Sequence, residues 1–309
     1  MRQYLRLAPG LPQLPACEPG CWISMECPDD EDIRFLTHEL GMPADFIEDI
    51  NDVDERPRVE AGDGWLMTIV RIPMRSTTGN VPFLTVPVGL LTDSRVAVSV
   101  CYHRTDMMSE FINHTRARHI DIPDIPDLLV RVVYSSAHWF LQYLKEINRL
   151  STEAEKQLER SIRNRDLLAL MSLQKSMVWF STSIKGNRAM AERLRSILEK
   201  RGTLDSDLLE DVETELRQAS DTVDIYSAIL GGTMDTFASV ISNNVNAIMK
   251  RMTSISITLM IPTLIASFFG MNVPMGWAGT GWWTFPAIIV VSALLSALSV
   301  VWFKRIKWF

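Results

Sequence analysis

The 309-residue sequence predicts an α+β membrane protein, with a cytoplasmic α/β domain first, a long helical stalk next and two transmembrane helices last. Three observations predict it. All 37 acidic residues and 28 of the 31 basic ones lie between Met1 and Arg251, whereas Met252 to Phe303 is a run of 52 residues without Asp, Glu, Lys, Arg or His. A membrane helix needs only about 20 apolar residues, so this run is too long for one soluble core element and long enough for two spans. Finally, β-branched and aromatic runs crowd the stretch before residue 123, and apolar residues at three-and-four spacing dominate after it.

In chain order, residues 1–123 form the α/β domain. Trp65 to Pro73, Phe83 to Leu91 and Arg95 to Tyr102 read as strands of one sheet, the last two joined tightly through Thr92-Asp93-Ser94. Pro28-Asp29-Asp30 opens a helix carrying Ile33, Leu36 and Leu40 and closing at Gly41. Residues 124–251 are a helical bundle and stalk, with helices over Leu128 to Ile162 and Asp166 to Lys200 and a stop at Gly202. Asp205 or Ser206 caps a third helix, with Asp207, Glu210 and Asp211 where the helix dipole favours acids. No proline interrupts it before Pro262, so a helix from Ser206 to Gly270 spans about 100 Å. Gly231-Gly232 inside it is expected to be either a hinge or a site of close helix packing.

The uncharged run divides into a first span at 252–271, an outer loop at 272–283 rich in Pro and Gly, and a second span at 284–303, followed by a basic tail at 304–309. Lys250 and Arg251 flank one end, and Lys304, Arg305 and Lys307 the other. The positive-inside rule then puts both termini in the cytoplasm of a cell-membrane protein.

Composition excludes several functions. The first 251 residues carry 28 basic against 37 acidic groups, a formal −9, which disfavours nucleic acid and favours cations as partners. Cys17, Cys21, Cys27 and Cys101 form no CxxC pair and are read as reduced thiols. Pro9, Pro12 and Pro15 break the N-terminal stretch, so no signal peptide is expected. His38, His103, His114, His119 and His138 make no HExxH pair, and there is no P-loop or nucleophile elbow; the five are read as satisfied or exposed, and the chain as neither an enzyme nor the holder of a prosthetic group.

The first span carries a second pattern. Ser242, Asn246, Met249, Thr253, Ser256, Met260, Thr263, Ser267 and Gly270 recur in alternating steps of four and three, a 3.5-residue seam of mostly small and polar residues. Two readings stand: small residues that let helices pack closely in lipid, or the lining of a pore contributed once per subunit, with methionine rings as dry constrictions. A non-conducting, membrane-anchored stalk or sensor is the corresponding rival function.

Gly270-Met271-Asn272 closes the first span, and here the sequence resembles the CorA family of divalent-cation channels, whose signature is GMN after the first of two C-terminal spans. Asn246 to Thr253 resembles that family's stalk segment, Asp54-Glu55-Arg56-Pro57-Arg58 its DERP segment, and Lys304 to Phe309 its basic-aromatic ending. The resemblance implies a funnel-shaped homopentamer that takes up Mg2+, with Co2+ and Ni2+ as substitutes, or a member of the family's zinc-transporting branch. It implies that Gly270, Met271 and Asn272 form the outer selectivity ring, and that Asn246, Met249, Met252, Met260 and Thr263 line or narrow the pore. It also implies feedback by internal Mg2+, with Asp211 in an intersubunit metal site.

Overall fold

The computed structural model describes residues 2–76, 81–160, 164–201, 206–271, 281–306 and 308. The expected cap at Asp205 and stop at Gly202, the selectivity residue Asn272 and most of the outer loop lie outside the described residues. The chain divides into two compact units, Met1–Thr233 and Met234–Phe309.

The first unit is built on a seven-stranded sheet of β1 (Arg2–Arg6), β2 (Gln13–Leu14), β3 (Cys21–Glu26), β4 (Arg58–Gly62), β5 (Trp65–Arg75), β6 (Phe83–Thr92) and β7 (Ala97–Cys101), in the order β2-β1-β3-β7-β6-β5-β4. Only β3 and β7 pair in parallel; every other pair is antiparallel. The three strands expected from sequence are β5, β6 and β7, neighbours in the sheet. They read clearly because both faces of the sheet are covered, which turns alternation into continuous apolar runs. Along β5, Met67 and Ile69 point into one core and Val70 and Ile72 into the other.

One face is covered by α1 (Asp30–Arg34), the turn that follows it and α2 (Ala44–Asn51), from which Leu36, Phe46, Ile47 and Ile50 join the smaller core. Asp29 caps α1: its carboxylate accepts from the amides of Glu31 and Asp32 at 3.0 and 2.9 Å, and Asp32 returns a bond to the Asp29 amide. The helix does not stay α-helical up to Gly41, as its spacing predicts; Phe35–Glu39 widens into a π-turn, and Gly41 follows at φ +69°. The other face meets α3 (Asp106–Ala117), α4 (Ile125–Arg160), α5 (Asn164–Arg201) and the start of α6 (Ser206–Phe269), through residues such as Val132, Val133, Leu194 and Leu216.

The end of a strand sets one requirement of this sheet. β4 pairs with β5 only as far as Arg58, opposite Ile69, so the N–H and C=O of Arg71, which face away from β6, lie beyond the reach of that ladder. Asn187 of α5 fills the place: its Oδ1 accepts from the Arg71 amide at 2.9 Å and its Nδ2 donates to the Arg71 carbonyl at 2.7 Å. The Arg71 guanidinium then donates to the carbonyls of Val53, Glu55 and Thr85 at 2.7, 2.8 and 2.6 Å. Burial lowers the pKa of this arginine, and the carboxylates of Asp54, Asp52 and Glu55 push it back up. Residues 54–58 are thereby clasped to the sheet: Arg58 pairs with Asp49, Glu55 and Glu60, and a Cβ added at Gly186 would come within 2.9 Å of Pro57.

Replacing Asn187 by Ala leaves a buried amide and a buried carbonyl without partners. The expected cost is about 2–4 kcal/mol, two groups at roughly 1–3 each with partial relaxation, read as a lower denaturant midpoint of the first unit followed by tryptophan fluorescence.

Candidate ion pathway

The second unit contains the end of α6 and α7 (Thr284–Arg305), the two helices long and apolar enough to cross a membrane. From Met234 onward the sequence holds one acidic residue, Asp235, so the span carries no carboxylate. On α6 the covered positions are Ser254, which is fully buried, and the half-buried Thr258, Ile261, Pro262 and Ile265. On α7 they are Thr284, Ile288, Ser292, Ser296, Ser299, Val300 and Phe303. Ser292 and Ser296 are four apart, and such small pairs let helices approach closely in lipid.

Hydroxyls join these faces. Thr258 Oγ1 lies 3.2 Å from Ser299 Oγ and 2.8 Å from the carbonyl of Ser254, and shares its single proton between them. Ser254 Oγ donates to the Lys250 carbonyl at 2.5 Å, and Ser299 Oγ to the Ser296 carbonyl at 2.8 Å. Pro262 explains the centre of this group. Its missing N–H is the one that would have bonded the carbonyl of residue 258 four positions earlier. Ser296 Oγ donates to that Thr258 carbonyl, at 3.5 Å. A helix in hydrocarbon tolerates an interior proline where a neighbouring side chain meets the freed carbonyl.

The seam lies elsewhere. At about 100° of rotation per residue, the positions 253, 256, 260, 263, 267 and 270 fall roughly opposite those that face α7. All six are exposed in the single chain, Met260 by 63%, as are Ser242, Asn246, Met249 and Met252. Thr263 Oγ1 turns back to its own helix, donating to the Leu259 carbonyl at 3.1 Å. Gly270 still donates to the Ala266 carbonyl at 2.9 Å, and the Met271 amide to Phe268 at 3.3 Å. Among the seam hydroxyls and Asn246, no described bond to α7 is found; Ser254, Thr258, Ser296 and Ser299 supply that contact, and sequence reading did not single them out. Pro262, four residues after Thr258, was the available signal.

Away from the span, Asp211 is exposed on the first turns of α6, beside the buried Val212. Glu213 is engaged by Arg195 at 2.8 Å, and Arg195 also holds Glu199 at 2.6 Å; these two bonds raise the arginine's pKa. Among the described residues no three His, Cys, Asp or Glu side chains converge on a metal position. Gly231 and Gly232 sit in unbroken helix two residues before the first unit ends. A Cβ at Gly231 would meet only Gln174 Nε2 at 3.9 Å and one at Gly232 nothing within 4 Å, so close packing within this chain does not require either glycine. Of the histidines, His138 lies beside Gln142 and Glu215, while His103 departs from the satisfied-or-exposed reading, because its Nδ1 is buried without a partner among the described residues.

The chain resembles known transport proteins along most of its length. The family described as CorA-like Mg2+ transporter protein matches residues 18–305. A protein of Methanocaldococcus jannaschii named cobalt/magnesium transport protein CorA is 22% identical over 294 residues, covering 93% of this chain and 90% of the relative. The complete structure of the CorA magnesium transporter from that organism superimposes with a TM-score of 0.83 at 20% identity, covering 100% of this chain and 99% of the other. The cytoplasmic domain of ZntB from Vibrio parahaemolyticus gives 0.59 at 16% identity, over 79% of this chain and 97% of the other.

The proline account makes a thermodynamic prediction. Ser296→Ala alone should destabilise the detergent-solubilised protein by about 1 kcal/mol, within the range for interhelical hydrogen bonds in membranes. In a Pro262→Ala background, where the helix supplies its own N–H, the same change should cost close to nothing, and a double-mutant cycle on thermal unfolding reads the difference.

Proposed function

The chain belongs to the CorA family of divalent-cation transporters, and from that premise we propose that it conducts hydrated Mg2+, with Co2+ and Ni2+ as substitutes, through a pore on the axis of a homopentamer. The observation that carries this reading is the position of the seam. Its uncharged, mostly small and polar face is the one that α7 leaves open, so it is free to meet the same face of other copies around a common axis. Mg2+ holds its octahedral waters tightly. A lining of hydroxyls, amides and backbone oxygens hydrogen-bonds those waters without stripping them, whereas carboxylates would retain the ion.

In this proposal Gly270, Met271 and Asn272 form the outer ring, with Asn272 presenting its amide to the hydrated ion. Asn246, Thr253, Ser256, Thr263 and Ser267 line the path, and Met249, Met252 and Met260 narrow it. Their exposure of 57%, 61% and 63% in the single chain is the apolar surface that rings of methionine would bury or use to exclude water. Lys250, Arg251, Lys304 and Arg305 mark the cytoplasmic side of a cell membrane. A divalent ion moving inward across 100 mV gains about 4.6 kcal/mol, twice the value per elementary charge, so uptake needs no other energy source. Asp211 contributes to an intersubunit Mg2+ site that closes the pore when internal Mg2+ is high, and Gly231-Gly232 gives the stalk helix its bending point.

Proteoliposome uptake resolved for Mg2+, Co2+, Ni2+ and Zn2+, with and without a proton gradient, tests the reading. Mg2+ flux independent of the gradient is expected, lost in Asn272→Ala with the oligomer still assembled. Zinc flux that requires the gradient would instead assign the zinc branch, and no flux of any ion would leave a non-conducting protein.

Current recordings test the gate. Met249→Asn or Met252→Asn should wet the constriction and raise basal current several-fold, and Asp211→Lys should shift the internal Mg2+ needed for closure. Unchanged current in both methionine variants would return the seam to simple helix packing.

A further inference from the structure

A cavity of about 290 Å3 opens between α3 and α4 in the first unit, and the ion pathway makes no use of it. Its walls are aromatic, from Phe111 on α3 and Tyr134 and Trp139 on α4. Two of these rings are held from behind: Trp22 meets Phe111 edge-on at 5.9 Å, and Tyr143 lies 5.5 Å from Trp139. Such faces carry the negative side of the ring quadrupole and attract cations, amines above all.

The surrounding charges point the same way. Glu110 lines the cavity, and Arg131, the one Lys or Arg in its lining, is committed through Nε to Asp127 at 2.5 Å. Glu215 of α6 reaches to 3.7 Å from His138 on the rim. Burial, helped by the carboxylates of Glu215 and Asp211, holds the Tyr134 phenol above its usual pKa, so their field extends to the cavity wall. A bare metal ion does not suit the place, because among the described residues Glu110, His114 and His138 do not converge as a ligand set. The volume sits at the small end for a ligand pocket and favours a slender chain over a nucleotide.

We propose that this cavity binds a linear polyamine, with one ammonium between the aromatic walls and Glu110, the methylene chain along Trp139, and a second ammonium toward Glu215. Recognition combines cation–π attraction with a carboxylate at each end, and the apolar walls cover the methylenes. The site does not rest on the reading of the seam as a pore.

The test is calorimetric titration of the full-length protein in lipid nanodiscs with spermidine. A saturable isotherm with one site per chain is expected. Glu110→Gln and Tyr134→Leu should each weaken it about tenfold, while Glu159→Gln, an equal charge change at an exposed site on another part of α4, should leave it unaltered. Affinity that falls equally in Glu110→Gln and Glu159→Gln would mean a diffuse attraction to an acidic surface and would overturn the proposal. So would affinity unmoved by Glu110→Gln and Tyr134→Leu, the lack of any saturable isotherm, or binding of adenosine monophosphate that depends on Tyr134.

Discussion

A backbone group withdrawn from water needs a partner, and the main chain withholds one at two structural centres of this molecule. In the sheet, β4 stops pairing at Arg58, and Asn187 reaches in from α5 to complete both of the backbone bonds of Arg71. In the membrane helices, Pro262 frees the Thr258 carbonyl, and Ser296 reaches in from α7. In both cases a side chain on a packed helix does the work of a missing main-chain partner, so the repair also fixes the position of the helix that makes it. Asn187 sets the register of α5 on the sheet. Ser296 and Ser299 set the face of α6 that α7 occupies, and therefore the face left open.

That second assignment has functional weight. The seam and the hydroxyls that bind α7 are chemically alike: serines and threonines at helical spacing in one apolar run. What separates them is about half a turn of helix and a proline. Ser254 and Thr258 are consumed by contacts within the chain, while Thr253, Ser256 and Thr263 remain outward. A polar stripe in a span has two possible destinations, another helix or water, and α7 has already taken one stripe.

Legibility in the sequence followed from the same physics. β5, β6 and β7 could be read because burial on both faces makes them apolar throughout, and the spans because charge is absent over 52 residues. β1, with Arg2 and Arg6 at its ends, and the two-residue β2 lie at one edge of the sheet, and β4, with Arg58 and Glu60, at the other; their sequences resemble loops because solvent takes part of each. The π-turn at Phe35–Glu39 keeps the apolar spacing of an α-helix closely enough to hide. The seam was visible as a period, but its freedom was not, since that depends on which stripe a distant helix covers. Asn187 was invisible for a related reason: a polar residue in an amphipathic helix looks solvent-facing until the end of the strand across the interface is known.

The described bonds between α6 and α7 are made by neutral groups, and between Arg251 and Lys304 the chain contains no ionisable side chain of Asp, Glu, His, Lys or Arg. An electric field does work on a protein in proportion to the charge it displaces, about 2.3 kcal/mol per elementary charge across 100 mV. Sliding or tilting these two helices against each other displaces no formal charge. The membrane voltage therefore has no lever on the helix pair: it pulls on a cation in transit and leaves the conformational equilibrium of the spans to chemistry at their ends.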